Sequence, residues 1–154
     1  MKNLIVSIIS ITLLSNCNQS NINRQSINKE QVNDTVEKTV SLSIKPNVFK
    51  LSHIPDTVKV VMSNNTHDTI MTGLHYKIEN LENKEWKEAS PNDVMFNDLG
   101  WQLNPTNSGN FDKTLYKDRI KYEAGRYRIV KYYVKSDYQK SKQKITVFAE
   151  FEVK

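Results

Sequence analysis

A disulfide needs two cysteines, and this chain of 154 residues has one, Cys17. Covalent cross-linking within the chain is therefore excluded as a source of stability. So is a structural zinc site built from closely spaced cysteine and histidine. Glycine and proline number four each, too few for a collagen-like or Gly/Pro-rich low-complexity chain. The uncharged apolar run from Leu4 to Leu14, LIVSIISITLL, is eleven residues long, whereas a helix that crosses a bilayer needs roughly 20. No internal repeat is visible, and the sequence contains no G-x-S-x-G, P-loop, G-x-G-x-x-G or H-E-x-x-H pattern. The most recognisable hydrolase, nucleotide-binding and metalloprotease sites are thereby removed, and no cofactor or metal is expected.

What the N-terminus does contain is an address. Met1-Lys2-Asn3 is a short positive start, and Leu4 to Leu14 has the size of a signal-peptide apolar region. Leu14-Ser15-Asn16-Cys17 resembles a bacterial lipobox, in which an aliphatic residue and two small residues precede a cysteine that becomes lipidated. Asn16 departs from the Gly, Ala or Ser usual at that position. The resemblance implies a signal peptide over residues 1–16 and a mature chain that begins at acylated Cys17. Each methylene buried in lipid would contribute ~0.8 kcal/mol, so a multiply acylated cysteine holds its protein on the membrane. Residues 17–38 follow as a tether rich in Asn, Gln and Ser with no aromatic, a composition unable to bury enough surface to order itself. As a flexible coil it would span ~25 Å. The tether has no acidic cluster of the kind that marks surface-exported lipoproteins, so the expected location is the outer membrane facing the periplasm, with the cell surface as the alternative.

The remaining residues, 39–154, are enough for one domain that buries roughly two-thirds of its unfolded-chain surface. The formal charge is +5. The tether contributes none of it, since Arg24, Lys29 and Lys38 offset Glu30, Asp34 and Glu37. The excess on the domain is mild, and in an exported protein it argues against a nucleic-acid partner.

From Thr39 onward apolar residues fall at alternate positions, the pattern of half-buried strands. Val40, Leu42 and Ile44 alternate with polar residues, as do Val58, Val60 and Met62, and Leu74, Tyr76 and Ile78. At the C-terminus Ile145, Val147, Ala149, Phe151 and Val153 do the same, with Phe148 alone breaking the outer face. Polar or turn-like breaks at IPD, SNNTHD, ENLENKE, NPTNSGN and KSDYQKSKQK separate six to eight short strands and predict an all-β, antiparallel sandwich. No long amphipathic helix is expected.

Several pieces then resemble, in order and spacing, the bacterial immunoglobulin-like domains of small lipoproteins. They are a strand ending in Asn64, Gly73 to Glu79, Trp86 in KEWKEAS, Leu103 and Pro105 in WQLNPTNSG, AGRYRIVK from Ala124 to Lys131, and a final AEFEV. The resemblance covers residues 40–154 and implies an immunoglobulin-like β-sandwich of about seven strands. Three residues are assigned structural roles. Gly125 is expected to turn the chain at backbone angles costly for other residues, Tyr127 to form a tyrosine corner, and Trp86 to cover the core.

Candidate chemistry is thin. His53, His67 and His75 fall on different segments, and Glu79, Glu82, Glu85 and Glu88 read as a solvated hairpin with Lys77, Lys84 and Lys87 as neighbours. Asn104-Pro105-Thr106 invites comparison with the N-P-T loop of immunoglobulin-like cysteine protease inhibitors. It lies late in the chain, however, and the further Arg-Pro-aromatic element of those inhibitors is missing. The most distinctive feature is KYYVKSDYQKSKQK, residues 131–144, expected at the tip and flanks of the last hairpin. Its lysines Lys131, Lys135, Lys140, Lys142 and Lys144, with Tyr132, Tyr133 and Tyr138, offer cationic donors and flat apolar faces to an anionic glycan, a lipid headgroup or an acidic protein. Arg126 and Arg128 stand close by. The expectation is a non-enzymatic, membrane-anchored lipoprotein whose domain binds or spaces. The alternative is an accessory or inhibitory lipoprotein acting on an envelope enzyme.

Overall fold

The computed structural model describes residues 39–154. The expected signal peptide, the lipidation of Cys17 and the tether lie outside the described residues. Along the chain run strands β1 (Val40–Ile44), β2 (Val48–Phe49), β3 (Thr57–Asn64), β4 (Ile70–Gly73), β5 (Lys77–Glu82), β6 (Glu85–Glu88), β7 (Gly100–Leu103), β8 (Ser108–Thr114) and β9 (Gly125–Lys135). One helical turn, α1 (Tyr138–Ser141), precedes β10 (Ile145–Val153). The strands form two sheets. The first has the order β1-β3-β8 and the second β2-β10-β9-β4-β7, with β5 also on β9 and β6 on β5.

The sheets face each other because alternate side chains of each strand are apolar. β1 buries Val40, Leu42 and Ile44, and β3 buries Val58, Val60, Met62 and Asn64. From the other sheet Tyr127, Ile129 and Tyr133 of β9 and Ala149, Phe151 and Val153 of β10 point back at them. Val60, Met62, Ile70, Ile78 and Ile129 are wholly enclosed, each contributing ~1.5–3 kcal/mol by leaving water. This is the two-layer sandwich that the period-two pattern predicts.

The architecture departs from the sequence reading in three places. More strand segments occur than about seven, because the first and third long strands are interrupted. The chain leaves the first sheet after Ile44, passes a cis peptide bond at Lys45-Pro46 and joins the second sheet as β2. There it runs parallel to β10, with Val48 opposite Glu152, so the sandwich is mixed rather than wholly antiparallel.

The third departure positions the site. Leu74, Tyr76 and Ile78 alternate as one strand would, but Leu74, His75 and Tyr76 lie outside the ladder. β4 pairs with the far half of β9, Thr72 opposite Tyr133, and β5 with the near half, Lys77 opposite Val130. Between these two pairs four residues, Gly73 to Tyr76, answer two, Lys131 and Tyr132, and the surplus residues bulge out. A bulge of this kind strands backbone carbonyls, which must find donors elsewhere.

Candidate functional site

The donors are two lysines. Period two puts Lys131 in phase with Tyr127, Ile129 and Tyr133 on the inner face of β9, and Lys113 in phase with Phe111 on the inner face of β8. Their exposures are 1% and 2%. Lys131 Nζ donates to the carbonyls of Gly73 and His75, and Lys113 Nζ donates to that of Leu74 at 2.9 Å. Three consecutive carbonyls of the bulge are therefore held by ammonium groups from opposite sheets. Phe111 lies beneath both, its ring centre 4.7 Å from Lys131 Nζ and 5.5 Å from Lys113 Nζ, and the Tyr76 ring is 4.7 Å from Lys113 Nζ. Burial lowers Lys131 to about 7, with the charge of Lys113 adding to the effect. Burial likewise lowers Lys113 to about 8, against a small opposing pull from Asp112.

The sequence reading of Lys131 as an exposed cation is thus corrected: its ammonium is consumed by the bulge and does not reach solution. Tyr133 is corrected for the same reason, since its ring lies in the core and burial raises its hydroxyl. Both face inward because β9 extends unbroken through them.

The opposite phase of β9 builds the outer face. Tyr132 and Val134 are half-buried there, and the chain then turns at Ser136 and Asp137 into α1. Lys142 ends α1 in a left-handed conformation, φ 53°, and β10 begins three residues later. The turn folds back so that Lys144 Nζ lies 4.5 Å above the Tyr132 ring and Lys142 Nζ 5.8 Å from the Tyr138 ring. His75, at the bulge, packs against Tyr132 and Phe96 at 5.9 Å and 4.9 Å. Burial and the nearby charges of Lys77, Lys144 and Lys131 lower its pKa.

Between this turn and the preceding strands lies a hollow of about 480 Å³. Its floor is unusual in that Gly73 of β4 and Gly100 of β7 are direct partners in the ladder. Tyr132, Tyr138, Met71 and Leu99 supply apolar walls, and Lys135, Lys144, Gln139, Ser136 and Asp98 the polar ones. Met71 and Leu99 are about half exposed. Lys140 and Lys142 stand on the turn outside the hollow. Ion pairs elsewhere tie Lys77 to Glu88, Lys87 to Glu82, Lys117 to Asp56, Arg119 to Asp93, Lys121 to Glu123, Arg126 to Glu150, Arg128 to Glu79 and Lys154 to Glu152. Lys135, Lys140, Lys142 and Lys144 take part in none of them.

The remaining predicted residues are structural and differ in how. Tyr127 is buried, and its hydroxyl donates to the Glu123 carbonyl at 3.1 Å while accepting from the Glu123 N–H at 2.9 Å, the arrangement of a tyrosine corner. Trp86 is not over the core. It stands on the β5–β6 hairpin opposite Leu81, with the Arg128 guanidinium 4.3 Å from its ring. Gly125 also departs from expectation: no described glycine has positive φ, and a Cβ at Gly125 would meet nothing within 4 Å. Arg126 and Arg128 spend their charge on Glu150 and Glu79 and add no free cation to the turn. The Asn-Pro-Thr segment forms the β7–β8 turn, where the Thr106 N–H bonds the Asn64 carbonyl at 2.8 Å.

A larger cavity, about 620 Å³, lies between segments 51–56 and 117–122. There Lys117 is paired with Asp56 at 2.8 Å, so the local charge is internally satisfied. Among the described residues no group of three or more His, Cys, Asp or Glu is placed to hold a metal ion, and no helix is long and apolar enough to cross a membrane.

The fold and these sites define an immunoglobulin-like sandwich module, a class that is typically non-catalytic. The sequence model of the bacterial Ig-like domain matches residues 36–152, and the chain belongs to that family. A comparison with curated proteins finds no match.

Proposed function

We propose that the protein is a lipid-anchored binding module of the bacterial envelope that recognises an anionic ligand at the turn between β9 and β10. The observation that carries this reading is one hollow walled by Tyr132 and Tyr138 and lined by Lys135 and Lys144, neither with a carboxylate partner, while Lys140 and Lys142 stand on the adjoining turn, also without one. Unneutralised charge on a protein surface attracts ligands of opposite sign over about a Debye length, and loops at the end of a sandwich are a frequent place for recognition. The lipobox-like Leu14 to Cys17 and the polar tether support a membrane anchor, at the outer membrane facing the periplasm.

Two measurements test it. Cys17→Ser should move the protein from the detergent-dependent to the soluble fraction, and continued detergent dependence refutes the anchor. Replacing Lys135 and Lys144 together by Ser should leave the thermal transition in place and weaken retention on envelope fragments at low ionic strength. Unchanged retention would remove this end of the domain as the binding surface.

A further inference from the structure

The geometry points to an acidic saccharide as the occupant of the glycine-floored hollow, an inference that rests on the preceding reading of this end as the recognition surface. Shape comes first. Because Gly73 and Gly100 oppose each other, the outer face of β4 and β7 has no side chains at that rung. A Cβ on Gly100 would meet Met71 Cε at 3.6 Å, and one on Gly73 the Leu99 carbonyl oxygen at 3.2 Å. The resulting space of about 480 Å³ falls within the ~300–1,000 Å³ of small-ligand sites. β4 is paired on both sides, by β9 and β7, and offers no backbone groups for strand addition; only the outer edge of β7 is open to an extended peptide.

Chemistry narrows the class. Lys144 and Lys135 line the hollow without carboxylate partners, and Lys144 is held over the Tyr132 ring, which fixes one ammonium at the wall. Beside them stand one carboxylate, Asp98, and the neutral polar groups of Ser136 and Gln139. A purely anionic ligand, such as phosphate or a run of acidic side chains, would be repelled by Asp98. A ligand bearing hydroxyl donors as well as an acidic group satisfies both, with hydroxyls donating to Asp98 and the anion accepting from the lysines. Tyr138 adds aromatic surface for the apolar C–H face of a sugar ring. Hydroxyls, an acid group and an apolar ring face together describe an acidic sugar.

The test uses the full chain in detergent micelles, titrated by calorimetry at low ionic strength. The probes are an oligouronate, a neutral oligosaccharide of the same length, inorganic phosphate and a polyglutamate peptide. The expected result is oligouronate binding that exceeds the other three by at least about tenfold, a difference of ~1.4 kcal/mol. Gly100→Val, which fills the floor, should abolish it, and Lys144→Gln should weaken it by about tenfold. Gly100 has no positive φ and open strand geometry, so Val is compatible with β7, and an unchanged thermal transition checks the fold. No oligouronate binding, or equal binding of polyglutamate or phosphate insensitive to Gly100→Val, overturns the saccharide. Retention on envelope fragments is scored in parallel with the same variants. If they lose retention while oligouronate does not compete, the recognition surface stands and the ligand class falls. If neither retention nor binding responds, both fall.

Discussion

Lys113 and Lys131 enter the sandwich from opposite sheets, share the ring of Phe111, and bond three consecutive carbonyls of the bulge between β4 and β5. Two cations are thus buried with no ion-pair partner, which costs folding free energy whenever both are charged. Their folded values, about 7 and about 8, lie below the ordinary 10.5. Between those values and 10.5 the unfolded chain therefore binds more protons than the folded one, and stability rises with pH. The neighbouring charges modify this little: Asp112 opposes the shift of Lys113, while His75, also lowered, acts in the same direction at lower pH. Thermal unfolding should show stability increasing by on the order of 2–4 kcal/mol from about pH 7 to about pH 10. A flat or falling profile there would mean that the lysines are not buried as described.

Replacing Lys131 by Met isolates its share. The variant removes the lower of the two lysine values and leaves Lys113, whose own lowering comes from burial. Donors to Gly73 and His75 are lost as well, at a cost of ~1–3 kcal/mol for an orphaned buried acceptor. Whatever its net effect at one pH, the variant should lose the larger part of the pH slope. A slope equal to that of the unaltered protein, measured by chemical denaturation across the same range, would assign the dependence to other groups.

How much of this was legible in the sequence follows from which features alternation encodes. Period two in β1, β3 and β10 was readable because every second side chain there is apolar. The same rule applied to β9 places Lys131 in phase with Tyr127 and Ile129, a signal that outweighs its charge once the strand is known to continue through it. Charge pointed outward, but the bulge supplied carbonyls that made an inward lysine the better partner. The bulge itself was hidden because Leu74 and Tyr76 keep the alternating pattern while leaving the ladder. Of the candidate site, Lys135, Tyr138 and Lys144 came from composition alone. Met71, Gly73, Leu99 and Gly100 were missed, since only the pairing of β4 with β7 brings them beneath the turn.

Tyr127→Phe tests the tyrosine corner without disturbing packing. The ring sits 5.0 Å from Tyr122 and 5.5 Å from Phe151, contacts that phenylalanine preserves. What is lost is a hydroxyl that serves both the N–H and the carbonyl of Glu123. Urea unfolding should register a loss of about 1–3 kcal/mol with an unchanged m-value. An unaltered midpoint would show that water satisfies Glu123 equally well.

The glycines divide sharply. Gly125→Ala adds a methyl that meets nothing and requires no positive φ, so it should be neutral or stabilise by up to about 1 kcal/mol through the unfolded chain. Gly109→Ala pushes the same methyl to 3.0 Å from Phe111 Cζ and 3.1 Å from Leu103 Cδ2, side chains held in the core, and should cost about 1–3 kcal/mol. Equal effects in differential scanning calorimetry would contradict the packing at the edge of β8.

Asn64 is the buried polar residue whose removal should cost most for its size. It ends β3 fully enclosed. Its Nδ2 donates to the carbonyls of Asp68 at 2.8 Å and Leu103 at 3.0 Å, while Oδ1 accepts from the Thr66 hydroxyl at 2.7 Å and N–H at 3.1 Å. One side chain thereby ties the β3–β4 loop to β7, the strand that carries Gly100. Asn64→Ala orphans the enclosed Leu103 carbonyl and frees the loop, with an expected loss of about 2–4 kcal/mol. Asn64→Asp should be at least as damaging, because a carboxylate cannot donate to either carbonyl. The same variants should raise amide exchange in β7 before β10, because β7 is held on one edge only and Asn64 is its tie to the first sheet; uniform exchange across both strands would show that the tie is not local.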